Sequence, residues 1–267
     1  MDPVLVDKAL TVEGLDGAVV DGHGVGRTIE ITAPGVTIRH LKVTNSGMAL
    51  DQMHAGVSLS ETAKGGIIED NSIENSLVGV YVHGAHDALV RRNRIAGRVL
   101  PHINDCGNGV YVWNAPGTKV EDNDITGGRD GIFTNVSRNN VFARNRIHGV
   151  RFAIHYMYTN DSEVSDNISI GNHAGYVIMY SARLKIRNNM SDDDRDHGLL
   201  LNFANGSDIS GNAVRGGEKC LFIYNANQNK VHGNWFEGCR LGIHFTAGSE
   251  GNAMSGNAQW GCCPAEC

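Results

Sequence analysis

With 267 residues, 23 basic against 29 acidic side chains and a formal net charge of −6, the chain carries no basic stripe, which excludes nucleic acid as a partner. No apolar run is long enough to span a membrane. Met1-Asp2-Pro3 begins neither a signal peptide nor a solenoid cap, so a missing natural N-terminus is the expectation.

A degenerate repeat near Arg27, containing Ala33-Pro34-Gly35, opens a periodic pattern. Nine clearer segments follow, starting at Gly56, Gly79, Gly109, Gly131, Ala153, Gly175, Gly198, Cys220 and Gly242, with spacings of 23, 30, 22, 22, 22, 23, 22 and 22 residues. A period near 22 means one coil per repeat. Fourteen residues after seven of these starts stands an Asn, at Asn93, Asn123, Asn145, Asn167, Asn189, Asn212 and Asn234, while Asn71 and Asn257 sit one residue later. Apolar residues one and three after the start (Val80 and Val82, Ile154 and Tyr156, Leu199 and Leu201) alternate as a strand with one face inward does. A second apolar column contains Val90, Val120, Phe142, Val164, Ile186, Ile209 and Val231, and a third contains Ile95, Ile125, Ile147, Val214 and Phe236.

Three short strands per coil follow, with almost no helix, because Gly, Asn and Asp interrupt the chain before any helical period develops. Stacked Asn side chains are expected to hydrogen-bond from coil to coil. The fold class is all-β: a right-handed parallel β-helix of about ten coils, its hand taken from the general crossover preference. Residues 1–258 form one domain. Residues 259–267 read as an irregular Cys-rich tail, a truncation or an altered C-terminus.

Two repeats are longer than the rest at the same corner of the coil, where insertions tend to carry function. The first, near residues 44–55, contains Met48, Asp51, Met53 and His54; the second, near 97–108, contains His102, Asp105 and Cys106. Thioether, imidazole and thiol form a set that suits Cu(I), although Met48 and Met53 could equally pin the loop to the rod.

The outward strand columns carry Tyr81, Tyr111, Phe133, His155, Phe222 and His244 and, beside them, His83, Trp113, Met157, Met179 and Tyr224. An exposed face so rich in aromatics marks a contact surface for a protein or for sugar rings. The register also stacks Met179 over Met157 next to His155, a second candidate set of copper ligands.

Asp192, Asp193, Asp194, Asp196 and His197 share one turn. Close carboxylates could run acid/base chemistry or hold Ca²⁺, but Asp-rich turns are also simply good turns, and Arg195 can neutralise this one. Cys239 precedes the next coil start by three residues, and that start stacks beside Cys220, which makes a Cys220–Cys239 bridge feasible.

The runs Gly109-Val-Tyr-Val-Trp-Asn-Ala-Pro-Gly117, Gly128-Arg-Asp-Gly-Ile-Phe133, Phe152-Ala-Ile-His-Tyr-Met-Tyr-Thr-Asn-Asp161, Asp194-Arg-Asp-His-Gly-Leu-Leu-Leu-Asn202, Glu218-Lys-Cys-Leu-Phe-Ile-Tyr-Asn225 and Gly242-Ile-His-Phe-Thr-Ala-Gly-Ser-Glu250 closely resemble the NosD family. Nothing about a β-helix requires His-Tyr-Met-Tyr-Thr-Asn-Asp. The resemblance implies a periplasmic, non-enzymatic accessory protein of nitrous oxide reductase maturation. It further implies transient handling of copper, as Cu(I), and as partners a copper chaperone lipoprotein, an ABC-type ATPase with its membrane permease, and the reductase. The competing reading is a β-helical polysaccharide lyase, hydrolase or epimerase, or a glycan-binding rod using Tyr111 and Trp113.

Overall fold

The computed structural model describes residues 3–246 and 248–262. Its strands form three sheets of eleven strands each, and every third strand in the sequence joins the same sheet. All pairings between named strands are parallel, as between Ile132–Asn135 and Ile154–Met157. The molecule is thus a parallel β-helix of eleven three-stranded coils. One coil more than the ten expected is present because Val4–Val6, Thr11–Glu13 and Val19–Asp21 build a first turn that lacks the Asn signature. Among the described residues the one helical element is a single 3-10 turn, Ile103–Asp105. The strand Ala258–Trp260 continues the third sheet beyond residue 258, and residues 263–267 lie outside the described residues.

The three apolar columns meet inside the coil. Val80, Val82, Val90, Ile95 and their equivalents in later coils form one continuous buried core along the rod. Tyr156 and Tyr176 are the largest fully buried side chains. Tyr176 satisfies its hydroxyl by donating to the carbonyls of Asn167 and Met190, which is what permits a phenol in such a place.

The Asn column occupies one interior corner. Each Asn presents its side-chain oxygen to two donors of the preceding coil, the backbone N–H and the carboxamide. From Asn71 through Asn93, Asn123, Asn145, Asn167, Asn189, Asn212 and Asn234 to Asn257, the Nδ2···Oδ1 links measure 2.9–3.0 Å. Buried polar groups are tolerated when every one has a partner. A second polar column, at the opposite turn, runs through Asn140, Ser162, Ser207, Asn229 and Asn252.

Candidate functional site

The outward face of the first sheet is far less open than its composition suggests. In-register coils place each ring over its counterpart: Tyr81 on Tyr111 at 5.2 Å between centroids, Tyr111 on Phe133 at 4.9 Å, and Phe133 on His155 at 4.8 Å. Their exposures fall to 5, 8, 8 and 6 %. His83 lies against Trp113 in the adjoining column and accepts or donates a 2.6 Å hydrogen bond with the Tyr81 hydroxyl. Burial pushes that hydroxyl up to about 12. The expected broad exposed surface is therefore corrected: from Tyr81 to His155 it is a column of rings whose faces cover one another. Only towards Phe222, Tyr224 and His244 does it open, with Tyr224 37 % exposed.

The column ends at His155, where the chemistry changes. Asp130, fully buried, receives two hydrogen bonds from Arg151, Nε to Oδ1 at 2.8 Å and Nη2 to Oδ2 at 2.7 Å, and stands 3.1 Å from His155 Nδ1. Burial alone would raise the Asp130 carboxyl; the His155 and Arg151 contacts outweigh it and hold the carboxyl below its usual range. An ionised carboxylate only accepts, so the nitrogen that faces it, Nδ1, carries a proton. The ring's Nε2 is buried and has no hydrogen-bond partner among the described residues. A carboxylate fixing one imidazole nitrogen while the other points free is the arrangement that orients histidine towards a metal.

Two residues along the same strand, Met157 pairs with Met179 of the next coil. Both are partly buried, and Met157 packs against the aromatic column. Between them and His197 of the following coil, Ala174 and Val177 are buried at 1 and 0 %. A soft, largely apolar patch results, and it has the character Cu(I) prefers.

The insertions do not make a second such set. Met48 is exposed and lies against the guanidinium of Arg98, a cation that would repel a bound metal ion. Met53 packs on the aromatic column. His54 uses both nitrogens to hold its own loop, Nδ1 accepting from the Ala49 N–H at 3.2 Å and Nε2 meeting Gln52 Oε1 at 3.1 Å. His102 is exposed beside the 3-10 turn. The loops touch through Arg98, which donates to the Ser46 carbonyl, but their four expected ligands do not converge.

The acidic turn disperses likewise. Asp192 pairs with Arg215 at 2.7 Å, and Asp196 with His173 at 2.6 Å. Asp194 points inward, where Ser169 Oγ, Ser191 Oγ and the Asn172 N–H all donate to it. Burial raises its carboxyl. It fills a place in an interior polar column rather than facing a groove.

Residues the sequence reading overlooked form a further ladder at the neighbouring corner. Tyr158 stacks on Tyr180 at 5.2 Å and Tyr180 on Phe203 at 5.0 Å, with exposures of 51, 42 and 40 %. All three hold left-handed backbone, with φ of 48°, 47° and 49°. The sequence signal was an aromatic recurring one residue after Met157, Met179 and Asn202. Cys220 and Cys239 are joined in a disulfide with 5.6 Å between their Cα atoms.

With this geometry in hand, the likeness to known proteins is informative. Residues 98–259 match the model of the family described as "Periplasmic copper-binding protein (NosD)". The chain belongs to the NosD family. A Pseudomonas aeruginosa relative named "Probable ABC transporter binding protein NosD" is 34 % identical over 268 residues, covering 95 % of this chain and 63 % of its own length. This NosD-family chain therefore spans less than two thirds of the curated relative it matches. Among solved structures, the Dettilon tailspike protein superimposes with a TM-score of 0.64 at 16 % identity, covering 97 % of this chain and 60 % of that one. A periplasmic alginate epimerase gives 0.62 at 12 % identity, covering 98 and 77 %. At such identities these two share the solenoid fold with NosD and nothing more. Among the described residues no helix is long and apolar enough to cross a membrane.

Proposed function

We propose that this chain handles copper as a non-enzymatic accessory protein in the periplasm, holding Cu(I) transiently at His155, Met157 and Met179. The observation that carries the proposal is the buried, unpartnered Nε2 of His155, whose ring Asp130 holds, on the strand that pairs Met157 with Met179 two residues further on. A buried polar atom without a partner costs about 1–3 kcal/mol, and a ligand that completes it recovers that cost. Imidazole with two thioethers is a soft neutral donor set, strong enough to select Cu(I) and weak enough to release it. The family description supports copper and the periplasm, and the relative's name supports an ABC transporter as membrane partner; nitrous oxide reductase maturation, with a copper chaperone lipoprotein as donor and the reductase as recipient, extends that reading on the strength of the motif resemblance. The open end of the first sheet, at Phe222, Tyr224 and His244, is the surface we assign to docking.

An enzymatic glycan reading finds little footing here, because the Asp192–His197 carboxylates face separate partners and the Tyr111 ring faces are already occupied by neighbours. Anaerobic titration with Cu(I) against a chelator of known affinity tests the proposal, using the chain and its His155→Ala/Met157→Ala/Met179→Ala variant. One tightly held Cu(I) lost in the variant is expected. Equal binding by both removes the site.

A further inference from the structure

Three sulfur atoms meet near the last coil. Cys220 is the second residue of the strand Lys219–Tyr224 in the first sheet, Cys239 lies just before Leu241–Thr246, and Cys262 follows the strand Ala258–Trp260. Their Sγ atoms all lie within 4.8 Å of one another, and Cys262 Sγ is 4.0 Å from Cys220 Sγ. Cys220 and Cys239 are buried at 0 and 1 %, whereas Cys262 is a free, partly exposed thiol packed against the core. The cluster exists because the repeat places Gly242 over Cys220. The space a Cβ at Gly242 would fill is taken by the Gln259 side chain, with the Cys262 Cβ at ordinary contact distance, 3.4 Å.

We propose that Cys220, Cys239 and Cys262 form a redox-gated Cu(I) site, closed as a disulfide beside a thiol and opened by a dithiol reductant into three sulfur ligands. Metal–sulfur bonds of about 2.3 Å, the length found for zinc thiolates, put three sulfurs of a trigonal site about 4 Å apart; Cys262 already stands at that distance from Cys220, and opening the disulfide lets Cys239 move out to it. Three soft donors without a fourth ligand favour Cu(I) over Zn²⁺, which takes four. The opening step balances with a partner dithiol. Two electrons and two protons break the Cys220–Cys239 Sγ–Sγ bond to give two thiols, and the dithiol leaves as its own disulfide. Cu(I) then displaces thiol protons to solvent as copper–sulfur bonds form, with no change of oxidation state at copper or sulfur. The exposed edge of Cys262 is the way in. The site stands three coils along the rod from His155 and is independent of the proposal made there.

The test uses the full chain with Cys263→Ser and Cys267→Ser, so that only the three clustered cysteines and the distant Cys106 remain. Cu(I) is titrated anaerobically against a chelator before and after reduction with a phosphine that is then removed, with circular dichroism recorded on each sample. The expected result is one additional Cu(I) per chain after reduction, with sulfur neighbours in X-ray absorption, an unchanged β spectrum, and loss of that added copper on Cys262→Ser. The same gain is expected in the His155→Ala/Met157→Ala/Met179→Ala background, which separates this site from the other. Equal copper in oxidised and reduced protein overturns the proposal. So does a gain that survives Cys262→Ser, including one that appears only because the reduced chain has lost its β spectrum.

Discussion

The Asn corner and the outer face of the first sheet are built by the same device, side chains stacked in register along the rod, yet they end in opposite states. In the Asn column every carboxamide is consumed by the next coil. On the outer face Asn135 Oδ1, His155 Nε2, His197 Nε2, Asn202 Oδ1 and His244 Nδ1 are buried without hydrogen-bond partners among the described residues. A column that satisfies itself holds the fold together, and a column that leaves polar atoms over is one on which a ligand can act. Burial by itself does not distinguish them; the hydrogen-bond inventory does.

The largest expected effect breaks the satisfied side. Asn145→Ala removes the acceptor for both Asn123 donors and the donor to the Val120 and Ala143 carbonyls. It should cost roughly 3 kcal/mol or more by chemical denaturation, at about 1–3 kcal/mol for each buried group left alone. His155→Ala, on the unsatisfied side, should weaken Cu(I) binding about a hundredfold, close to 2.7 kcal/mol, and lower stability by only about 1–3 kcal/mol, because Asp130 loses one of its partners but keeps Arg151. A large stability loss with copper binding intact would erase the contrast. Asp130→Asn sharpens it further: the ring of His155 keeps its place but loses the carboxylate that faces its Nδ1, and Cu(I) affinity should fall about tenfold.

A smaller effect concerns protons. Burial first, and then the Lys219 ammonium, depress His197 to about 4, whereas an unfolded histidine titrates near 6.5. Between those values the unfolded chain binds a proton that the folded chain refuses, so stability is full above about pH 6.5 and is lost progressively as the pH falls towards about 4. Unfolding midpoints measured across that window should show a shallower slope for His197→Gln. Smallest of all, Tyr180→Gly should shift stability by less than about 1 kcal/mol. It relieves a left-handed backbone that costs about 1–2 kcal/mol and gives up two ring stacks of about 0.5–1.5 kcal/mol each.

The solenoid was legible because its signal repeats. Asn at a fixed offset and apolar alternation recur in nine coils, so local noise averages out, and the pairing of Met157 with Met179 followed from the period alone. The state of a column was not legible from its composition. Tyr111 and Phe133 look exposed when each strand is read separately, and they are buried only because residues 22 apart stack. Direction was equally hidden in the insertions: His54 has the right atoms for a metal, but a short loop turned both nitrogens onto its own backbone and Gln52. The Tyr158, Tyr180 and Phe203 ladder escaped because bulky aromatics rarely adopt positive φ, and no pattern of polarity announces it.

The Asn column also has an electrical direction. In every link the donors belong to the earlier coil and the oxygen to the later one, so the oxygens of the carboxamides from Asn93 to Asn257 all point the same way along the axis. Aligned amides polarise one another, as they do in an α-helix. The rod thus carries a built-in field with its negative pole towards Asn71 and its positive pole towards Asn257, and a charged partner approaching along the axis meets two ends of opposite sign.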